Sequence, residues 1–302
     1  MMQPNLNPSL AALPSANWRD YLELTKPKVV LLMLITAVVG MQLATPTLVA
    51  LDTLLFTFVG LALAMGGAAA INHVVDQRID ALMSRTANRP LAAGRLNNTH
   101  ALWFASGLCV VSIVWLDVLV NRLTAVLTLF GVVGYALIYT FYLKRATPQN
   151  IVIGGLAGAI PPLLGWTAVT NQIDGNALLL VLIIYVWTPP HFWALAIARQ
   201  QEYAKAKIPM LPVTHGIDFT KTCVLLYTWL LIAVSYLPFL TQLSGLLYLG
   251  VVTLLNALFL YYAIQLKWFE RPGTAMRTFG YSIVYLFALF IALLIDHTDW
   301  IN

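Results

Sequence analysis

"LLFTFVGLALAMGGAAAINHVVDQRID" occupies Leu54 to Asp80. Its first 18 residues, ending at Ile71, carry no charge. A bilayer crossing takes about 20 mostly apolar residues, so this run reads as a membrane helix. The stretch then changes character: Asn72, Asp76 and Asp80 follow at intervals of four. That spacing predicts one helical face carrying three oxygen-bearing side chains over about 12 Å.

The rest of the chain fits a membrane setting. Of 302 residues, 60% are hydrophobic and 10% charged, where an ordinary soluble domain is about a quarter charged. Nine apolar runs are long enough to span, roughly 28–46, 52–72, 101–118, 122–142, 150–170, 176–198, 221–241, 244–266 and 277–296. Backbone polar groups in lipid must be satisfied within the segment, so the expected fold class is an all-α integral membrane protein. No run has the alternation of a membrane barrel. Cys109 and Cys223 lie inside apolar runs and suggest neither a disulfide framework nor a metal cluster. Residues 1–25 are polar and lack the pattern of a signal peptide. They read as a cytoplasmic tail, partly disordered, ahead of one membrane domain over 26–302.

Charge orients the bundle. Of the 17 Lys and Arg, all but Arg122 fall in the N-terminal tail or in the joints after the even-numbered spans. The positive-inside rule makes that side cytoplasmic, with the N-terminus inside and the C-terminus outside. Two joints on that side are long, about 73–100 and 199–220, and long joints are where chemistry is expected.

The acidic column invites a positive partner. Hard divalent cations take oxygen ligands and hold substrate phosphates through one or two carboxylates. Arg78, Arg85, Arg89 and Arg95 follow closely, and guanidinium forks match phosphate oxygens. The pattern reads as a magnesium–diphosphate site with Asn72, Asp76 and Asp80 as ligands. The alternative is a solvated helix end whose acids pair with those arginines. Further along, Tyr135, Tyr139 and Tyr142 fall on one stripe before Lys144 and Arg145; an interfacial aromatic belt reads equally well. Pro189 and Pro190 should break a membrane helix near its cytoplasmic half, just before His191, Phe192 and Trp193. His191 is either a proton acceptor or iron ligand, or a histidine hydrogen-bonded inside the bundle. "GGLAGAIPPLLGW", Gly154 to Trp166, should serve close helix packing.

A diphosphate site at the mouth of a helix bundle suits a lipid diphosphate, with its tail among the helices. If the tail is allylic, departure of diphosphate leaves a delocalised cation that aromatic faces stabilise. Tyr139, Tyr142, Trp187, Phe192 and Trp193 are candidates, and a dry site would protect that cation from water.

At this point the motif "NHVVDQRIDALMSRTANRPL" resembles the first aspartate-rich motif of the UbiA superfamily of intramembrane prenyltransferases. Asn72, Asp76, Asp80, Met83, Arg85, Thr86, Arg89, Pro90 and Leu91 match the pattern of its haem-modifying branch. "LTKPKVVLLMLIT", "YLKRATPQNIVIGGLAGAIPPLLGW", "WTPPHFWALAI" and "EYAKAKIPMLPV" are similar to further signatures of that branch. The resemblance covers roughly Tyr21 to the C-terminus. It implies nine helices around a central cavity in a bacterial cytoplasmic (inner) membrane, with the active site on the cytoplasmic side. It also implies Mg²⁺-dependent transfer of farnesyl from farnesyl diphosphate to a vinyl group of haem b, with water addition. Many relatives carry a second aspartate-rich motif in the joint after the sixth span. Here that joint reads "ARQQEYAKAKIP", with Glu202 its one acid among Arg199, Lys205 and Lys207. Either one metal suffices there or Glu202 alone supports a second. Lys144, Arg145 or Arg199 would meet the haem propionates, and His191, then His73, the porphyrin. A downstream haem A synthase or terminal oxidase is an expected partner beside the lipid bilayer; nucleic acid is not. The competing readings are a quinone- or chlorophyll-type prenyltransferase and a transporter without chemistry.

Overall fold

A computed structural model describes residues 17–269 and 271–297. Among them the structure is helical, with no strand. In chain order the helices are α1 (Trp18–Leu24), α2 (Pro27–Leu43), α3 (Leu51–Asp80), α4 (Asn98–Leu119) and α5 (Arg122–Val133). A π-helical stretch (Gly134–Leu143) continues α5 into α6 (Lys144–Ala146). Then come α7 (Asn150–Ala159), α8 (Pro161–Thr170), α9 (Gly175–Ala198), α10 (Gln200–Lys205), α11 (Leu211–Thr214) and α12 (Ile217–Ser235). The last three are α13 (Leu237–Leu240), α14 (Leu246–Trp268) and α15 (Thr274–His297).

Among the described residues, 8 helical segments are long and apolar enough to cross a membrane, or 9 if α1 and α2, bent by 49°, count together. The chain is a multi-pass membrane protein. Its outer faces are apolar, with Val110, Val114, Val118 and Phe130 all exposed, as befits a surface whose solvent is lipid. Polar caps mark some of the helix starts. Asn97 accepts from the Thr99 amide, Asn121 from Thr124 and Asp174 from Asn176, satisfying amides that open each helix.

Small residues let the helices approach. A Cβ on Gly165 would collide with the Ala37 carbonyl, and one on Gly40 with the Pro162 backbone, so α2 and α8 pack backbone to backbone. Gly67 gives α4 the same access to α3 at Ala105 and Cys109. Ser112 Oγ donates to the Gly60 carbonyl at 2.7 Å across that contact. Helix α9 runs through the middle, buried from Leu179 to Ala196 except at a few positions such as Leu182 and Phe192.

One expectation needs correction here. Pro189 and Pro190 do not break their helix: α9 is continuous from Gly175 to Ala198. Thr188 Oγ1 donates to the Ile184 carbonyl at 2.8 Å, and dense packing on every side holds the helix through the two missing amides. Within the polar tail, the described part is ordered. Trp18–Leu24 is a helix with a reciprocal Asn17–Asp20 capping box. The rest of that tail lies outside the described residues.

Candidate functional site

Helix α3 continues two turns beyond the apolar run, so the span expected over 52–72 ends eight residues later, at Asp80. Those turns carry the column, with Asn72, Asp76 and Asp80 4%, 1% and 4% exposed. It is a buried helix end, not a solvated one, although Asp80 does pair with one of the arginines that follow, and each member of the column meets a cation from a different part of the chain. Lys26 Nζ donates to Asn72 Oδ1 at 2.6 Å. Lys144 Nζ sits 2.5 Å from Asp76 Oδ2. Arg89 Nη1 bonds both oxygens of Asp80, at 2.9 and 2.7 Å. Asn72 Nδ2 in turn donates to Asp76 Oδ2 at 2.8 Å and to Thr140 Oγ1 at 3.3 Å. Asp76 Oδ1 is buried and accepts no hydrogen bond.

The π-helical stretch explains how Thr140 and Lys144 reach α3. Thr140 Oγ1 donates to the carbonyl of Tyr135, five residues back. A wider turn shifts the register of side chains, and such turns recur at functional sites. The same shift undoes the expected tyrosine stripe. Tyr135 and Tyr139 stack, 5.7 Å between centroids and 22° between planes, while Tyr142 is 69% exposed. Gly154 makes the room, since a Cβ there would enter the Tyr139 ring.

Residues 81–97 fold over the column as a run of turns. Gln77 Nε2 ties the Leu91 carbonyl at 2.8 Å, and Thr86 Oγ1 ties that of Asp80 at 2.9 Å. Gly94, with φ +73°, makes a bend that a side chain would resist. The second long joint meets the first: Ile79, Met83, Tyr203, Ala206, Ile208 and Met210 form one apolar cluster. Ser84 Oγ donates to Glu202 Oε2 at 3.1 Å, and Arg199 Nη1 reaches Glu202 Oε1 at 2.7 Å. The Arg199 bond, with a smaller part from Ser84, holds the Glu202 carboxyl below its ordinary range. Burial raises the Tyr203 hydroxyl.

His191 sits between two rings. Trp187 stacks on it at 4.2 Å and Phe279 at 4.6 Å, and Nδ1 lies 2.6 Å from Ser282 Oγ. Trp187 Nε1 donates to the Ser282 carbonyl at 2.8 Å. Phe192 meets His191 edge-on. Trp193 points elsewhere and packs on Tyr227 in a cluster with Leu211, Val224 and Leu266. It is therefore set apart from the His191 stack it was grouped with, because successive helical residues diverge by about 100°. Arg85 is exposed. Arg145, also exposed, donates to the Val75 carbonyl at 3.3 Å. His73 is buried with neither ring nitrogen partnered.

Lys26, Thr140 and Tyr203 complete this region without having been singled out from the sequence. The column offers oxygen donors alone, with one buried carboxylate oxygen open, a set that suits a hard divalent cation. Among the described residues no group of three His, Cys, Asp or Glu could hold a metal, because the third member of the column is an amide.

The chain is 58% identical over 300 residues to the protoheme IX farnesyltransferase of Shewanella denitrificans, covering 99% of this chain and 100% of that one. It is 62% identical over 283 residues to the protoheme IX farnesyltransferase of Alcanivorax borkumensis, 93% of each. Among solved structures, a digeranylgeranylglyceryl phosphate synthase superimposes with a TM-score of 0.78 at 18% identity, over 93% of this chain and 98% of that one. A UbiA homologue from Archaeoglobus fulgidus, bound to GPP and Mg²⁺, superimposes with a TM-score of 0.67 at 16% identity, over 91% and 99%. At these identities the two structures speak for the fold. Residues 33–294 match the UbiA prenyltransferase family, and the chain, an intramembrane prenyltransferase, belongs to that family.

Proposed function

We propose that this protein transfers a farnesyl group from farnesyl diphosphate to a vinyl group of haem b, with water addition, to give haem O and diphosphate. The observation that carries this reading is near-full-length identity of about 60% to protoheme IX farnesyltransferases. It is joined by a buried column of oxygens surrounded by cations.

Asn72, Asp76 and Asp80 would hold magnesium, since they supply oxygen donors and the open Asp76 Oδ1. When bound, the ion supplies Lewis-acid stabilisation of the leaving diphosphate. Lys26, Lys144 and Arg89 surround the same place and offset the phosphate charge. The C1–O bond of the farnesyl group breaks and its electron pair leaves with diphosphate. The vinyl π pair forms the new carbon–carbon bond, and the cation left beside the porphyrin takes water and releases a proton. The stacked faces of Tyr135 and Tyr139 lie beside the column and suit a passing carbocation. Tyr142, which is exposed, and Trp193, which packs on Tyr227, stand apart from that stack. Glu202, held by Arg199 and Ser84, ties the two cytoplasmic segments over the site. His191 would meet the porphyrin, with Trp187 and Phe192 beside it, and Arg145, Arg199 and the exposed Arg85 would meet acidic substrate groups.

The bent pair α1–α2 counts as the first of nine spans in this reading. The N-terminus is cytoplasmic, the C-terminus outside, and one domain runs from residue 26 to 302 in a bacterial inner membrane. A haem A synthase or terminal oxidase would receive the product.

The test is a product assay on purified protein in nanodiscs with haem b, farnesyl diphosphate and Mg²⁺, with Asp76→Asn in parallel. Haem O from the unaltered protein and none from D76N is the expected result. Farnesyl transferred to an added aromatic acid but never to haem would overturn it.

A further inference from the structure

Lys26 is an odd residue to find on the column. It sits at the 49° bend between α1 and α2 with φ 51° and ψ 57°. That is left-handed backbone, which a residue with a side chain seldom adopts, and the next residue is Pro27. Such a conformation persists only where the surroundings over-determine it. Leu24, two residues earlier, is fully buried against Ala70, Leu91, Leu96, Ala101 and Ala105. The other constraint is Arg95. Its Nε donates to Asp20 Oδ1 at 2.8 Å and its Nη2 to Glu23 Oε2 at 3.2 Å, both on α1. Its Nη1 donates to the Asn88 carbonyl at 3.0 Å, next to Arg89. One guanidinium thus ties the helix that delivers Lys26 to the loop that delivers Arg89.

We propose that Arg95 is a positioning residue for the column: by clasping Asp20 and Glu23 it fixes the left-handed turn that puts Lys26 Nζ on Asn72 Oδ1. Arg95 touches no member of the column. It acts through Lys26, at the Asn72 end of the column. The role in substrate binding rests on the function proposed above; the clasp itself does not.

Two measurements on the full chain in detergent separate these. The first is acetylation of lysines by an amine-reactive ester, read peptide by peptide in a mass spectrometer, with exposed Lys28 as internal reference. Arg95→Gln should raise labelling of Lys26 several-fold over Lys28, and Arg95→Lys should recover part of the protection. Partly exposed ion pairs contribute little to global stability, so the unfolding midpoint of R95Q should stay close to that of the unaltered protein. Equal Lys26 labelling in R95Q and the unaltered protein would overturn the clasp, whatever happens to binding. The second is titration with inert farnesyl thiolodiphosphate and Mg²⁺. R95Q and Lys26→Met should each weaken binding about tenfold, the scale of one charge-assisted hydrogen bond, and the double variant no more than K26M alone. Additive losses would overturn the proposed route through Lys26. No binding by the unaltered protein would instead sink the proposed function, with the labelling still deciding the clasp.

Discussion

Lys144 and Asp76, 68 residues apart in the chain, meet at 2.5 Å with side chains 14% and 2% exposed. Removing one member of a buried pair strands the other, at a cost of about 3–5 kcal/mol. Lys144→Met should therefore lower the unfolding midpoint sharply as well as abolish turnover. Lys144→Met with Asp76→Asn should recover much of that midpoint while remaining inactive. A double variant no more stable than K144M alone would show that the pair's electrostatics are not what the single variant loses.

Arg89 grips both oxygens of Asp80 from one nitrogen while its loop folds back over α3. Lysine keeps the charge but carries it as a point on a flexible stem, where the guanidinium is rigid and planar. Arg89→Lys should lower kcat/KM by roughly 10–100-fold, from losing about 1.5–3 kcal/mol of charge-assisted bonding. Steady-state kinetics with farnesyl diphosphate varied would read it. A change within twofold would mean that charge alone suffices there.

Gly154 stands where a Cβ would enter the Tyr139 ring, and Gly165 where it would strike the Ala37 carbonyl. Both alanine variants should be overpacked by about 1–3 kcal/mol, yet they should differ in kind. Gly165→Ala should lose folded yield, because the obstacle is backbone. Gly154→Ala should displace a ring of the Tyr135–Tyr139 stack and lose turnover out of proportion to stability. Size-exclusion profiles beside specific activity distinguish the two.

The Glu202 carboxyl lies below its ordinary value of 4.5 because it accepts from Arg199 and Ser84. A group lowered on folding stabilises the fold above its unfolded pKa, and that contribution fades as pH falls through the lowered one. The gap in unfolding midpoint between the unaltered protein and Glu202→Gln should thus be full at pH 7 and begin to close below about 4.5. A gap that widens in acid would contradict the bridge.

What the sequence made legible was whatever depends on local period. The apolar runs, the column at intervals of four and the tight packing through Gly154–Trp166 all follow from helical geometry. Lys26 was read as one more inside-positive charge because its partner lies 46 residues away. Its left-handed turn is set by tertiary clasps, which periodicity does not report. The Tyr142 reading failed for a related reason. A stripe drawn at 3.6 residues per turn goes astray in a π-helical stretch, and the composition of Gly134–Leu143 does not announce one. The two prolines in α9 misled in the opposite sense, since surrounding helices overrode a strong local breaker.

The order of the column's cations along the chain bears on how the protein is made. Asn72 finds Lys26 already synthesised, and Asp80 gains Arg89 within nine residues. Asp76 must wait 68 residues for Lys144, roughly 3–14 s at about 5–20 residues per second on the ribosome. During that interval a growing chain carries a carboxylate at the membrane boundary without its counter-charge. The second span, which bears Asp76, gains this contact when the fourth, which bears Thr140 and Lys144, arrives. A pause in translation between the two residues would lengthen the time for which Asp76 lacks that partner.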